Sequence, residues 1–402
     1  RHDFLSCYGA DFISTPNIDS IAGEGSRYEC ALSTSPVCVP ARAALLCGLN
    51  GVRNGVIDNG HWLRPDHDNL GQKGWPTILH EAGYRTAAIG KMHFYPWDAA
   101  EGFETRVIAE DKRHYQIRDD YARYLASRGK AKKHAETLPG YHENRGAAVS
   151  DLDPGEQVDA WVAGQAAEYI RATESETPFA MMVGFPSPHC PYAPTAEKLA
   201  EFEDADVPAP LPPAEHSESI RLRVAASNRR EWNKVDYEDA GDQEFRKVRR
   251  HYAALVSQVD DGVGTILAAL KERGILDETV IIFASDHGDY LGDFGLMGKY
   301  YFHEPSVRIP LIVRDPKRGY TEPIEDLVTL TDLFSTILSA AGLDEGKTPD
   351  SIGLPEENGN GRREEAFGVT DKGLMLRTKR WKYATYREGE VLLFDLQQDP
   401  EE

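Results

Sequence analysis

The sequence predicts an α/β protein, with a mostly parallel central sheet flanked by helices and a small antiparallel sheet at the C-terminal end. Strand-like apolar runs alternate with helical patterns over most of the 402 residues. One of those helical patterns is very long. The last stretch, by contrast, shows four short strand signals with no helix between them, as antiparallel hairpins do.

The elements follow in order. Thr15-Pro16 opens a short helix, with proline in its first turn. Pro76 to Ala82, closed by Gly83, reads as a helix leading into the strand Thr86 to Ile89. Phe179 to Phe185 is a buried strand by its apolar run. Val248, Tyr252, Leu255, Val256, Val259, Val263, Ile266, Leu267 and Leu270 recur at spacings of three and four, marking a long amphipathic helix that ends at Gly274. The strand Val280 to Ala284 follows, with another at Leu311 to Val313. Phe367 to Thr370, Leu374 to Thr378, Trp381 to Tyr386 and Val391 to Leu396 form the terminal sheet. The Gly- and Glu-rich stretch Glu356 to Glu365 is the expected junction, dividing a catalytic domain over 1–355 from a small β subdomain over 356–402. The polar segment from about Arg106 to Gly155 reads as an insertion of unassigned role.

A net charge of −21 argues against a nucleic-acid-binding surface, which needs clustered Lys and Arg. A chain this acidic must gather positive charge locally if it handles an anion. Five cysteines, Cys7, Cys30, Cys38, Cys47 and Cys190, are odd in number, and no CxxC pair suggests a disulfide framework or structural zinc. No run reads as a transmembrane span, and no export signal is visible after Arg1.

Polar motifs stand just after three strands: Gly90-Lys91-Met92-His93, Pro188-His189 and Asp286-His287-Gly288. Ligands of open α/β sheets bind outside the carboxyl ends of strands, so the three converge on one expected site at one sheet edge. If extended, Lys91 and His93 point the same way, offering a cation and a proton carrier; alternatively they are a surface lysine and a structural histidine. Asp286 and His287 can ligate a divalent ion or simply make a solvated turn. Pro40 and the alanines and leucines after it place Cys38 at a helix N-terminus. There a thiol is acidified and anions are attracted, although a half-buried structural cysteine fits as well. Arg42 lies one turn on and can reach back to the same point.

Cys38-x-Pro40-x-Arg42 resembles the signature of the sulfatase family. The likeness continues through Tyr8-Gly9, Thr15-Pro16-Asn17-Ile18-Asp19, Ser35-Pro36, Gly83-Tyr84-Arg85-Thr86, Gly90-Lys91-x-His93 and the run from Ser285 to Val313. It closes with Arg377-Thr378-x-x-Trp381-Lys382-Tyr383 and Phe394-Asp395-Leu396, so it spans nearly the whole chain. The resemblance implies an alkaline phosphatase-like fold and a sulfuric ester hydrolase acting on a small aryl, sugar or choline-type sulfate monoester. Its nucleophile would be formylglycine, made from Cys38 by a separate formylglycine-generating or sulfatase-maturing enzyme. By the same resemblance Lys91 and Lys299 bind the sulfate, His93 helps collapse the sulfated intermediate, and His189 protonates the leaving group. Arg42 belongs with the catalytic set. Asn59, in Asp58-Asn59-Gly60, lies where related hydrolases place an asparagine on the substrate anion, but an Asn-Gly turn explains it equally.

Cys38, Asp286 and His287 would hold the metal, calcium first, with manganese or magnesium as alternatives. The family's first strand ends in one or two further metal-binding aspartates, expected just before the segment matching Arg1-His2-Asp3; Asp3 itself aligns downstream of them. Asp289 and Asp293 are loop and cap residues in this reading. Cys47 stands where the signature commonly has threonine. Phe94, Tyr95, Trp97 and Tyr301 line the pocket rim or belong to the core. The alternatives are a phosphonate or phosphate ester hydrolase of the same architecture, and a non-catalytic binding homologue.

Overall fold

The computed structural model describes residues 1–110, 115–174, 176–214, 217–229, 234–319, 322–343, 348–357, 359–361 and 363–402. Part of the expected polar insertion (111–114) and two positions of the expected junction (358 and 362) lie outside the described residues. Eleven strands are described: β1 (Ser26–Leu32), β2 (Arg85–Gly90), β3 (Thr105–Ile108), β4 (Phe179–Gly184), β5 (Ile281–Ala284), β6 (Leu311–Arg314), β7 (Ile324–Thr329), β8 (Glu365–Thr370), β9 (Gly373–Thr378), β10 (Trp381–Tyr386) and β11 (Val391–Asp395). They form three sheets, ordered β3-β2-β4, β5-β6-β1-β7 and β11-β10-β9-β8.

The α/β architecture and the small antiparallel C-terminal sheet match the expectation, with two refinements. The expected single sheet edge is two: β4 and β5 each lie at the edge of their own sheet. The helices Val158–Ala172 and Asp242–Glu272 bridge them, burying Ala167, Ile170, Ala269 and Leu270 against Phe179, Met181 and Ile281. Secondly, β6 runs antiparallel to both β5 and β1, while β1–β7, β2–β3 and β2–β4 are parallel. A parallel return needs a crossover, usually helical. The stretch between β5 and β6 carries only one-turn helices, Asp293–Gly295 and Glu304–Val307, and is spent on site loops. The expected insertion is also partly regular: it begins inside β3 and contains the helix Asp120–Ser127, capped by Asp119.

The long helix Asp242–Glu272 buries the face read from its periodicity, against Phe4, Ile18 and Ile21. It also contains an 18-residue window with mean hydropathy 1.3, long enough to cross a bilayer, where the sequence reading found no such run. Much of that window, 61%, is buried in the protein, and the buried Asp260 sits within the helix. Asp260 accepts hydrogen bonds from the Ile18 amide (2.8 Å) and the Asn17 side chain (2.8 Å), capping the helix Pro16–Gly23. Asp19 in turn accepts from Ser6 Oγ, the Cys7 amide and Thr15 Oγ1. The Thr15-to-Asp19 motif thus ties the N-terminal segment to the core helix.

Where β2 and β4 end side by side, Gly90 and Gly184 are in register. A Cβ on Gly184 would collide with the Lys91 carbonyl, and one on Gly90 with the Gly184 carbonyl. Gly90 also sits at φ +97°, a region side chains avoid. These two glycines let the chain fold over the sheet edge immediately before Lys91.

Candidate active site

The helix Cys38–Cys47 begins where the sequence placed it, with Val37 as its N-cap. Cys38 through Ala44 are all buried. One side packs on Trp75, Leu79 and Phe334, while Ala41 packs on Tyr28, Ile309 and Leu311. A helix apolar all round is a core helix. Full burial of Val39 and Leu46 contributes roughly 1.5–3 kcal/mol apiece, enough to hold a cysteine-bearing helix end rigidly. Cys47 Sγ donates to the Ala43 carbonyl (3.0 Å), the bond a threonine hydroxyl would make, and burial pushes its thiol up to about 11.

The loop before Cys38 is braced from the C-terminal sheet. In β8, Val369 donates its amide to Thr34 O (2.9 Å) and accepts from Ser35 Oγ (2.8 Å). Tyr300 donates to Pro36 O (3.2 Å), and the Asp371 amide donates to Ile57 O (3.0 Å). Asn59 Oδ1 accepts from the Val39 amide (3.0 Å), satisfying one of the helix's open N–H groups. Asn59 is therefore tied to the helix that begins at Cys38 and also lines the adjoining cavity.

Charged groups converge on the Cys38 thiol. His287 Nε2 lies 3.2 Å from Sγ, Lys299 Nζ 3.3 Å and Lys91 Nζ 3.9 Å. Burial alone would raise the thiol. Lys299, Lys91, His287 and a hydrogen bond from His189 outweigh it and hold the thiol well below its ordinary value. Arg42 donates through Nε to Asp286 Oδ2 (2.9 Å) and through Nη1 to the Lys91 carbonyl (2.6 Å). Despite burial, His287 and Arg42 hold the Asp286 carboxyl well below the usual carboxylate range. The acidic chain has gathered its positive charge at one point.

Donor atoms of Cys38, Asp286 and His287 lie within 4.8 Å of one another, close enough to share one ion. His287 Nδ1–H donates to Gly288 O (2.6 Å), which turns Nε2 to the side a metal could occupy. With an oxygen in place of Sγ, the set becomes two oxygens and one imidazole, which suits a divalent cation. Asp289 is occupied otherwise: Oδ1 accepts from the Leu291 and Gly298 amides (3.1 Å each), and Oδ2 from Tyr192 (3.2 Å). Asp293 pairs with Arg1 and Arg249 and accepts from the Leu211 amide.

His189 lies just after the turn that leaves β4. Its Nδ1–H donates to Cys190 O (2.5 Å), and its Nε2 lies 2.9 Å from Lys299 Nζ. His189, Lys299 and Asn59 line a cavity of about 550 Å³ whose outer wall carries Arg223, Tyr300 and Lys372. Tyr301 also lines it. Phe94 instead belongs to the core, under the Arg106 guanidinium, and Tyr95 stacks on Trp62, 60% exposed.

Lys91 and His93 do not project together from an extended strand. His93 adopts φ +60°, and Lys91 Nζ turns to Cys38. The His93 ring faces Glu110, whose Oε2 lies 3.7 Å from Nε2, while Glu110 Oε1 accepts from the Met92 and His93 amides. Sequence reasoning missed Glu110, because it stands in the polar stretch taken for an insertion. The only available signal was the end of an apolar strand two residues before it.

The Sulfatase family model matches residues 1–343. The chain is 27% identical to an arylsulfatase of Clostridium perfringens, over all of this chain and 87% of the relative. It is 30% identical to a choline-sulfatase of Rhizobium meliloti, over 97% of this chain and 77% of the relative. Among solved structures, the phosphonate monoester hydrolase of Agrobacterium radiobacter superposes with TM-score 0.82 and 25% identity, covering all of this chain and 88% of that one.

Proposed function

The chain belongs to the sulfatase family, and on that premise we propose that it hydrolyses a small sulfate monoester through formylglycine made from Cys38. The observation that carries this reading is the crowding of Lys299, Lys91 and His287 around the Cys38 sulfur, at a helix N-terminus beside a cavity. Such a pocket receives a tetrahedral oxyanion.

Conversion is a two-electron oxidation in which Cβ of residue 38 gains a carbonyl oxygen and loses its sulfur. A separate maturing enzyme supplies the oxidant. Sγ marks where an oxygen of the hydrated aldehyde would lie. Asp286, His287 and residue 38 would hold a divalent ion, calcium or else manganese or magnesium, whose Lewis acidity would favour an ionised oxygen there. That oxygen attacks sulfur in line; the bond from sulfur to the ester oxygen breaks, and the departing alcohol takes a proton from His189. The other hydroxyl on the same carbon then gives its proton to His93, the carbonyl re-forms, and sulfate leaves without attack of water on sulfur. Lys91, Lys299 and Arg42 hold the sulfuryl charge, and Asn59 holds a substrate oxygen. Each such preorganised donor is worth about 3–4 kcal/mol of barrier, and the acid and base about 10²–10⁴ in rate.

A mass spectrum of the peptide containing Ser33 to Arg42, from a host that oxidises such cysteines, tests the reading. It should show an aldehyde that rises with aryl sulfate turnover. A persistent thiol with undiminished turnover contradicts it.

The close superposition on a phosphonate monoester hydrolase favours one second reading, phosphonate ester cleavage by the same architecture. The Gly90-Lys91-x-His93 motif weighs towards sulfate. Comparing kcat/KM on an aryl sulfate and an aryl phosphonate monoester separates the two.

A further inference from the structure

Among the described residues, Glu110 is the one buried carboxylate beside the Lys91–His93 turn whose side chain neither the metal set nor the cavity uses. It is 1% exposed and lies two residues past the end of β3. β3 runs parallel beside β2, with Ile108 opposite Gly90, and the Ala109 amide bonds back to Gly90 O (3.3 Å). This register sets Glu110 beneath the turn that carries Lys91 to Cys38. Glu110 Oε1 accepts from the Met92 amide (3.2 Å) and the His93 amide (3.1 Å), and Oε2 stands 3.7 Å from His93 Nε2.

Glu110 is itself anchored. Its amide donates to Asp119 Oδ2 (2.8 Å), and its carbonyl accepts from Lys132 Nζ (2.8 Å). Lys132 pairs with Asp119 (2.7 Å), which caps the helix Asp120–Ser127. On the far side of the turn, Arg42 holds the Lys91 carbonyl and Gly184 O holds the Lys91 amide (2.7 Å). His93 keeps a left-handed backbone that a side-chain-bearing residue adopts only when its surroundings impose it. Two amides captured by one carboxylate supply that constraint. Among its neighbours, Arg42 and Arg106 are cations that feel Glu110, and Asp119 is a second carboxylate, held by Lys132. A buried imidazole that gains a proton needs an anion facing it, and Glu110 is so placed.

We propose that Glu110 is a positioning residue: it clamps the Met92–His93 amides and faces the imidazole, fixing His93 as the base that drives sulfate release. This rests on the sulfate ester reading above. In the cycle, the proton leaving the hydroxyl of residue 38 goes to His93.

The test compares the parent enzyme with Glu110→Gln, which keeps an amide acceptor but loses the charge, and with Glu110→Asp and Glu110→Ala. In Glu110→Gln, kcat should fall roughly 10- to 100-fold, part of the about 10²–10⁴ that a positioned base provides, with KM falling alongside it, kcat/KM kept and melting temperature unchanged. Quenched in steady state, that variant should carry a sulfo group on residue 38 where the parent carries little. Glu110→Asp should recover most of kcat. In protein purified before conversion of Cys38, hydrogen exchange at the Met92 and His93 amides should quicken in Glu110→Ala and stay slow in Glu110→Gln. An active parent whose Glu110→Gln variant matches it in kcat and accumulates no adduct overturns the inference alone; so does unchanged exchange in Glu110→Ala. A fully converted parent that turns over no sulfate ester overturns the underlying reading as well.

Discussion

Two lysine–histidine pairs serve the Cys38 site, and they are built differently. Lys91 and His93 leave the end of β2 and are buried, 3% and 7% exposed, with their turn held by Arg42, Gly184 and Glu110. Lys299 and His189 come from loops, line the cavity and touch each other at 2.9 Å. The open pair faces the space where a leaving group must sit. In the closed pair Lys91 reaches Cys38, while the His93 ring faces Glu110. The proposed cycle, which first expels an alcohol and then discards sulfate, would use both, one histidine on the cavity and one held against protein. The contrast teaches that matching residue types at a site need not be duplicates; what surrounds them divides the work.

The largest expected effect exploits that division. Replacing His189 with Asn should slow hydrolysis of an alkyl sulfate by about 10²–10⁴, yet barely affect an aryl sulfate with an acidic phenol, which leaves without a proton. His93→Asn should slow both substrates alike and leave residue 38 sulfated. Steady-state turnover of the two substrates checks this, and identical leaving-group dependence in the two variants breaks the comparison. Next, Lys299→Ala and Lys91→Ala should each lower kcat about 10²- to 10³-fold, as loss of an oxyanion donor does. Because Lys299 also lines the cavity, only its variant should raise KM as well.

A smaller effect concerns the brace. Ser35→Ala removes the bond to Val369 O and should cost about 1 kcal/mol of stability, read from denaturant unfolding, with the pairs' kinetics otherwise kept. The smallest lies outside both pairs. His67, between Glu101 (2.9 Å) and Gln72 O (2.8 Å), is raised to about 9, chiefly by its bond to Glu101. A histidine raised on folding stabilises fully below its unfolded value, near 6.5, and that contribution fades as pH climbs through about 9. Melting temperature against pH should therefore show a decline over that window in the parent that His67→Gln lacks, while the contrast between the pairs is unchanged.

Much of this site was legible in the chain. Proline followed by alanines and leucines places Cys38 at a helix start, and an apolar strand ending in Asp286-His287 delivers a carboxylate and an imidazole to the same point. What escaped the sequence depends on pairing across space. An apolar run such as Leu311–Arg314 reads the same whether its neighbour is parallel or antiparallel, so the mixed sheet was not foreseeable. The shared direction expected of Lys91 and His93 assumed an extended backbone, which Gly90 and His93 abandon for positive φ. Glu110 gave no local signal, because its role comes from the register of β3 against β2. Asn59 looked like a turn residue and is one, but its oxygen is also spent on the helix that carries the nucleophile.

The idea most exposed to experiment is that residue 38 needs two oxygens on one carbon. Cys38→Ser supplies one. Incubated with an aryl sulfate, that variant should release a single equivalent of phenol and then stop, its intact mass increased by one sulfo group located on residue 38. Continued turnover by the serine variant, with no sulfo group retained, would contradict the account.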